Sequence, residues 1–259
     1  MHTPAQIDSA RNRRTEMEAA PAARAIRAAP EWIPTQSALR IISTLRFAQA
    51  MGDVVLIYGS EGTGKTHAAR EYAKQGGRVW LATMTPATAG IVPALEQICA
   101  AVDTLPRNGA SELHRAIIGK TTQTGGLLVI DEAQHLIPGA LAQIAAIHDA
   151  AGIGVAMLGN HSIYAKLTAA RSAESLACLH SRIGKRLRVD ALTPDDVGVI
   201  AASWGVAGAG ALKTLAEIGR KAGALRMVTK TLRVAQMLAD GRAITDADLR
   251  AAWRELTGA

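Results

Sequence analysis

Between Val54 and Thr66 the chain reads VVLIYGSEGTGKT, and no other stretch restricts its fold as tightly. Val54 to Tyr58 is an apolar, β-rich run suited to a buried strand; a glycine-rich turn follows, and a helix opens at Lys65. Gly59, Gly64, Lys65 and Thr66 complete the phosphate-loop spacing G-x-x-x-x-G-K-[ST]. Glycines at these places let backbone N–H groups converge on one point, and the helix start adds the positive end of its dipole. A triphosphate suits such a nest. Gly59, Ser60, Glu61, Gly62, Thr63, Gly64, Lys65, Thr66 and His67 are then the nucleotide-binding set. Lys65 is placed to reach the β- and γ-phosphates, and the Thr66 hydroxyl to hold Mg²⁺.

A second half of the site stands further along. Leu127 to Ile130 is a continuous apolar run, as a strand covered on both faces requires, and Asp131 and Glu132 follow at its carboxyl end. Ligands of open α/β sheets sit at that end. Asp131 is placed to hold Mg²⁺ through water, and Glu132 to orient and deprotonate a water aimed at the γ-phosphate. A fourth strand, Ile153 to Leu158, ends in Gly159-Asn160, where a polar side chain is within reach of the γ-phosphate or the attacking water; Asn after Gly is also an ordinary turn. The segment LHSRIGKRLR, Leu179 to Arg188, gathers Arg182, Lys185, Arg186 and Arg188. Arg182 suits an arginine finger offered to a neighbouring subunit; a solvated basic edge or a DNA contact is the other reading of the same residues. Gly223-Ala224-Leu225-Arg226 opens a late helix that brings Arg226 back toward the phosphates.

Around these motifs the chain alternates strand and helix. Strands are expected at Val54–Tyr58, Val79–Thr83, Leu127–Ile130, Ile153–Leu158 and Arg186–Val189. Helices are expected from a Thr35 cap to Gly52, and over about 65–75, 89–102, 111–120, 139–150, 162–168 and 172–181. That alternation predicts an α/β fold: a parallel five-stranded sheet flanked by helices. After Thr193-Pro194 only helical periodicity remains, over about 195–204, 211–221, 224–239 and 245–256, with Thr245 capping the last helix. The organisation expected is a flexible basic arm over residues 1–30, a nucleotide-binding domain over 31–192 and a helical lid over 193–259.

Composition narrows the class further. With 259 residues, 49% of them apolar and only 3% aromatic, a large core is available, and aliphatic and alanine packing has to build it. No apolar run is long enough to span a bilayer, and the first residues lack a signal-type apolar segment, so a cytoplasmic protein is expected. Cys99 and Cys178 have no metal-ligand spacing and read as buried thiols. The net charge of +7 favours a polyanionic partner. The seven histidines lack metal spacing; His135 and His161 follow the acidic pair and Asn160 and read as hydrogen-bonding residues near the site.

The phosphate loop, the Asp-Glu strand, the Asn-ended strand, Ser181-Arg182 before the fifth strand and the Gly-x-x-Arg lid helix together resemble an AAA+ ATPase. More narrowly the chain is similar to the transposition proteins of the phage Mu B type. Thr35-Gln36, Leu45-Arg46-Phe47-Ala48, Ala68-Ala69-Arg70-Glu71-Tyr72, Val79-Trp80, Met157 to His161, Ser181-Arg182-Ile183, Gly223 to Arg226 and Arg254-Glu255-Leu256 carry it, in order over about residues 31–257. The resemblance implies an ATP-driven, Mg-dependent ATPase that assembles into a helical filament on double-stranded DNA with little sequence preference. It also implies delivery of that DNA to a DDE transposase, which stimulates hydrolysis. By the family pattern Asn160 is sensor 1, Arg182 the arginine finger and Arg226 sensor 2. The Mu type carries an N-terminal helix-turn-helix domain for which residues 1–30 leave no room, so DNA contact is expected on the ATPase core. Arg107, Arg115 and Lys120, before the third strand, and Lys185 and Arg186 are the candidate DNA-binding residues, each of them equally a solvated charge. The same motifs also fit an AAA+ loader or remodeller acting on a protein, such as a helicase loader or a secretion-type ATPase.

Overall fold

A computed structural model describes residues 31–105, 108–169 and 179–258. In chain order the elements are α1 (Gln36–Met51), β1 (Val54–Tyr58), α2 (Lys65–Lys74), β2 (Val79–Thr83), α3 (Ile91–Ala101), α4 (Ala110–Thr121) and β3 (Leu127–Asp131). They continue with α5 (Pro138–Ala151), β4 (Gly154–Gly159), α6 (His161–Ala169), β5 (Ile183–Arg188), α7 (Pro194–Ser203), α8 (Ala209–Gly219), α9 (Ala224–Ala239) and α10 (Asp246–Thr257). The strands form one sheet in the order β2-β3-β4-β1-β5, every pairing parallel. Parallel neighbours need crossovers, and the helices between strands supply them.

The unbroken apolar strands are explained by the two layers they face. In β1, Val54 and Leu56 enter one buried cluster while Val55 and Ile57 enter the cluster on the opposite face. β3 repeats the split with Leu128 and Ile130 against Leu127 and Val129, and β4 with Val155 and Met157 against Ala156 and Leu158. One face is covered by α3, α4, α5 and α6 and the other by α1 and α2. The C-terminal helices form a third buried cluster around Ile200, Leu215, Val228, Leu232 and Leu249.

Helix ends follow local chemistry. Thr35 caps α1 by accepting from the Ala38 N–H at 3.2 Å, and Gly52 closes it in a left-handed conformation. Reciprocal capping boxes, Thr193–Asp196 and Thr245–Asp248, start α7 and α10. Asp196, wholly buried, also reaches across to α1: its Oδ1 accepts from the Ser37 N–H at 3.0 Å and its Oδ2 from the Ser37 hydroxyl at 2.6 Å.

Several boundaries differ from expectation. β5 begins at Ile183 rather than Arg186, with irregular register where Val54 meets Ile183 and Val55 meets Lys185. It is a polar edge strand, so hydrophobic patterning under-reads it. α3 starts at Ile91, behind a short 3₁₀ turn at Pro86–Thr88. The helix expected at 172–181 lies largely outside the described residues; Leu179–Arg182 are helical. Cys99 is buried, and Cys178 lies outside the described residues. Among the described residues no helix is long and apolar enough to cross a membrane.

Candidate nucleotide-binding site

A cleft of about 590 Å³ opens at the carboxyl end of the sheet. From the loop it is lined by Glu61, Gly62, Thr63, Gly64, Lys65, Thr66 and His67, and from the sheet edge by Glu132, Gly159 and Asn160. Trp32, Ile33, Thr35 and Ala38 line it from the approach to α1 and from α1 itself; Trp204, Leu225, Arg226, Thr229 and Arg233 line it from the C-terminal helices.

The loop is wrapped around its own lysine. Lys65 Nζ donates to the Gly59 carbonyl at 3.0 Å, the Ser60 carbonyl at 2.8 Å and Thr63 Oγ1 at 3.3 Å. Burial pushes the Lys65 pKa down, against the opposing pull of Glu132, Asp131, Glu61 and Asp190. Gly59 has to be glycine because a β-carbon there would stand 2.1 Å from the Val189 carbonyl oxygen. The Ser60 N–H donates to Asp190 Oδ1 at 3.2 Å, and His161 Nε2 meets the same oxygen at 2.7 Å. Thus His161 braces the loop through Asp190, whereas His67 stacks on Trp32 with ring centroids 5.4 Å apart.

Asp131 closes β3 and is 2% exposed. Its Oδ1 accepts from the Glu132 N–H at 3.0 Å; its Oδ2 is buried with no hydrogen-bond partner among the described residues. Burial pushes the carboxyl pKa up, while the Thr66 hydroxyl beside it pulls the other way. A buried, unpartnered carboxylate oxygen near a hydroxyl is a pair of hard oxygen donors, and it fits a water-bridged divalent cation of the Mg²⁺ type. Glu132 departs from the strand in a left-handed conformation (φ 56°), which turns the chain sharply as it enters the 3₁₀ turn at Ala133–His135.

Asn160 Oδ1 accepts from the Ser162 N–H at 2.9 Å at the start of α6. Arg226 reaches the cleft from the first turn of α9, and its backbone N–H donates to the Gly62 carbonyl at 3.2 Å. Gly62 and Gly223 touch so closely that a β-carbon on Gly62 would lie 2.4 Å from the Gly223 carbonyl oxygen. Arg182 stands apart from the cleft and is held by Asp149 of the same chain through two hydrogen bonds, 2.7 Å from Nε and 2.6 Å from Nη2.

The described basic candidates do not form one patch. Arg115 and Lys120 are exposed on α4, Arg115 paired with Glu112 at 2.8 Å. Lys185 lies 5.2 Å over the Phe47 ring of α1, on the opposite face of the sheet from α4. Arg186 donates to the His180 and Ile183 carbonyls. Arg107 is outside the described residues.

Sequence reasoning missed the cleft residues Trp32, Ile33, Trp204 and Thr229, and it missed the bracing residue Asp190. Each arrives by tertiary packing, and no spacing relative to the loop announces it.

A phosphate loop after the first strand, paired acids at the end of β3, Asn160 at the end of β4 and a helical body closing the cleft define an AAA+ ATPase. Residues 51–167 match the model of the AAA domain, and residues 181–256 that of the Mu B transposition protein, C terminal. The chain is 34% identical over 231 residues to the ATP-dependent target DNA activator B of Escherichia phage Mu, covering 88% of this chain and 74% of that one. It is 34% identical over 207 residues to the Mu-like prophage FluMu DNA transposition protein B of Haemophilus influenzae, covering 78% and 72%. The chain belongs to the Mu B transposition protein family. Among solved structures it is similar to the Aeropyrum pernix ORC2 protein in its ADPNP–ADP complexes (TM-score 0.64, 20% identity, 88% and 70% covered). It is also similar to Drosophila ORC bound to DNA (TM-score 0.59, 16% identity, 89% and 63% covered). At those identities the likeness is one of fold.

Proposed function

We propose that this chain is an ATP-dependent activator of target DNA: it binds double-stranded DNA with little sequence preference, assembles on it as a helical filament and presents it to a DDE transposase. The observation that carries the reading is the convergence of Lys65, Thr66, Glu132, Asn160 and Arg226 on one cleft, in a chain whose relative from phage Mu is named an ATP-dependent target DNA activator. The net charge of +7 supports a polyanionic partner.

In this reading the loop N–H groups and Lys65 hold the β- and γ-phosphates, and Thr66 and Asp131 would hold Mg²⁺. The metal supplies charge neutralisation at the phosphates. Glu132 takes the proton of the attacking water, the Asn160 amide contacts the terminal phosphate, and Arg226 reports occupancy to the C-terminal helices. Arg182 exchanges Asp149 for the γ-phosphate of a neighbouring subunit, a contact of a kind worth about 10³–10⁵ in rate. Residues 31–192 act as the nucleotide-binding domain and 193–259 as its lid. Arg115, Lys120, Lys185 and Arg186 are the described candidates for phosphate contacts with DNA. The protein works in the cytoplasm of the cell whose DNA it selects.

The test is binding to random-sequence duplex DNA with ATP or a slowly hydrolysed analogue. Binding is expected only with nucleotide and Mg²⁺, falling steeply between about 50 and 200 mM salt, with DNA-coated filaments by electron microscopy. Lys65→Ala is expected to lose nucleotide binding or turnover, and filaments with it. Absence of DNA binding under every nucleotide condition, or assembly into rings without DNA, would overturn the proposal.

A further inference from the structure

Gln134 stands two residues beyond Glu132, half-buried on the 3₁₀ turn after β3. Its side chain uses both ends of its amide. Nε2 donates to Glu132 Oε2, and Oε1 accepts from the Asn160 backbone N–H at 3.3 Å. The assignment of the two amide atoms is chemically forced, because an ionised carboxylate only accepts and a backbone N–H only donates. The bridge also depends on the glycine before Asn160: a β-carbon at Gly159 would lie 2.5 Å from Gln134 Oε1. From behind, the turn is pinned by α6. Lys166 Nζ donates to the Gln134 carbonyl at 2.7 Å and to the Leu136 carbonyl at 2.6 Å.

We infer that Gln134 is a positioning residue for ATP hydrolysis, whose amide locks the Glu132 carboxylate to the Gly159–Asn160 end of β4 so that the two are oriented as one unit. The inference rests on the proposed roles of Glu132 and Asn160. A glutamate has three side-chain torsions, and a general base works only within hydrogen-bond reach of the proton it removes. The Gln134 amide, itself anchored at a strand end and on a turn held by Lys166, removes that freedom. It also joins the residue that takes the proton to the one that touches the terminal phosphate. Glutamine is the residue that does this: leucine has neither donor nor acceptor, and glutamate keeps the acceptor but presents a second negative charge to Glu132.

The experiment is steady-state ATP hydrolysis by the full chain, with and without duplex DNA, for wild type, Gln134→Leu, Gln134→Glu and Glu132→Gln, with analogue affinity and melting temperature measured alongside. Gln134→Leu is expected to lower kcat about 10- to 100-fold while KM for ATP and analogue affinity stay within about twofold. Gln134→Glu, which keeps the acceptor for Asn160 and loses the donor to Glu132, is expected to lower kcat to a similar extent, again with KM and analogue affinity kept. A wild-type kcat in Gln134→Leu or in Gln134→Glu, or a kcat loss matched by lost analogue affinity or a collapsed melting temperature, would each overturn it. A wild-type rate in Glu132→Gln would instead remove Glu132 as the base, which is a separate failure.

Discussion

Trp204 lines the cleft, and its indole nitrogen has no hydrogen-bond partner among the described residues. The residue is only 6% exposed, and its indole N–H is buried. A buried donor left unpaired costs about 1–3 kcal/mol, which a ligand acceptor can recover. Trp204→Phe keeps a ring and drops the donor. The melting temperature is expected to stay level or rise slightly, while ATP affinity measured by calorimetry falls about 3- to 30-fold, in line with one hydrogen bond. Unchanged affinity would show that the indole N–H takes no part in binding. At this scale the sequence was legible in placement wherever spacing is local: Lys65 and Thr66 from the loop motif and Glu132 from the end of an apolar run lie in the cleft, and Asp131 closes β3. Trp204, Asp190 and Gln134 were not, since folding alone brings Trp204 to the cleft, Asp190 to the Ser60 N–H and Gln134 to the Asn160 N–H.

Among the elements, the contact of α9 with the loop is the most demanding. Gly62 combines a φ of 74° with a 2.4 Å clearance to the Gly223 carbonyl, so an added methyl meets backbone and cannot be absorbed by a rotamer. Gly76 has a φ of 90° and nothing within 4 Å, so alanine there is strained by conformation alone. Gly76→Ala is expected to cost about 1 kcal/mol in denaturant unfolding, with ATP binding retained. Gly62→Ala is expected to cost more and to lose ATP binding at least tenfold, because the start of α9 has to back away. Equal effects from the two would remove the close approach as the cause. The strands illustrate the same division between local and distant information. β1, β3 and β4 were readable because both of their faces are apolar, whereas β5 carries Lys185, Arg186 and Arg188 on an edge, and its first half is defined only by pairing with β1.

On the scale of the whole molecule, the sheet and the C-terminal helices are joined at Asp196. Burial raises its carboxyl pKa, but the hydrogen bonds donated by Ser37 and Thr193 outweigh that and hold it below the ordinary carboxylate value. A depressed folded-state pKa contributes stability in full above the unfolded value, near about 4, and loses it as pH falls through the folded value. Unfolding measured at pH about 7, 5 and 3 is therefore expected to show little loss over the first interval and a marked one over the second. Asp196→Asn is expected to be less stable than wild type at neutral pH by about 1–3 kcal/mol and to show a shallower acid loss. A parallel acid profile in wild type and variant would place the sensitivity elsewhere, for example at Asp248, which Arg242 also holds low. Two of the attachments between these parts are Asp196 on Ser37 and Gly62 on Arg226. Because one of these ties is made to the loop itself, whatever tenants the chamber rests against a wall already fastened to its own cradle.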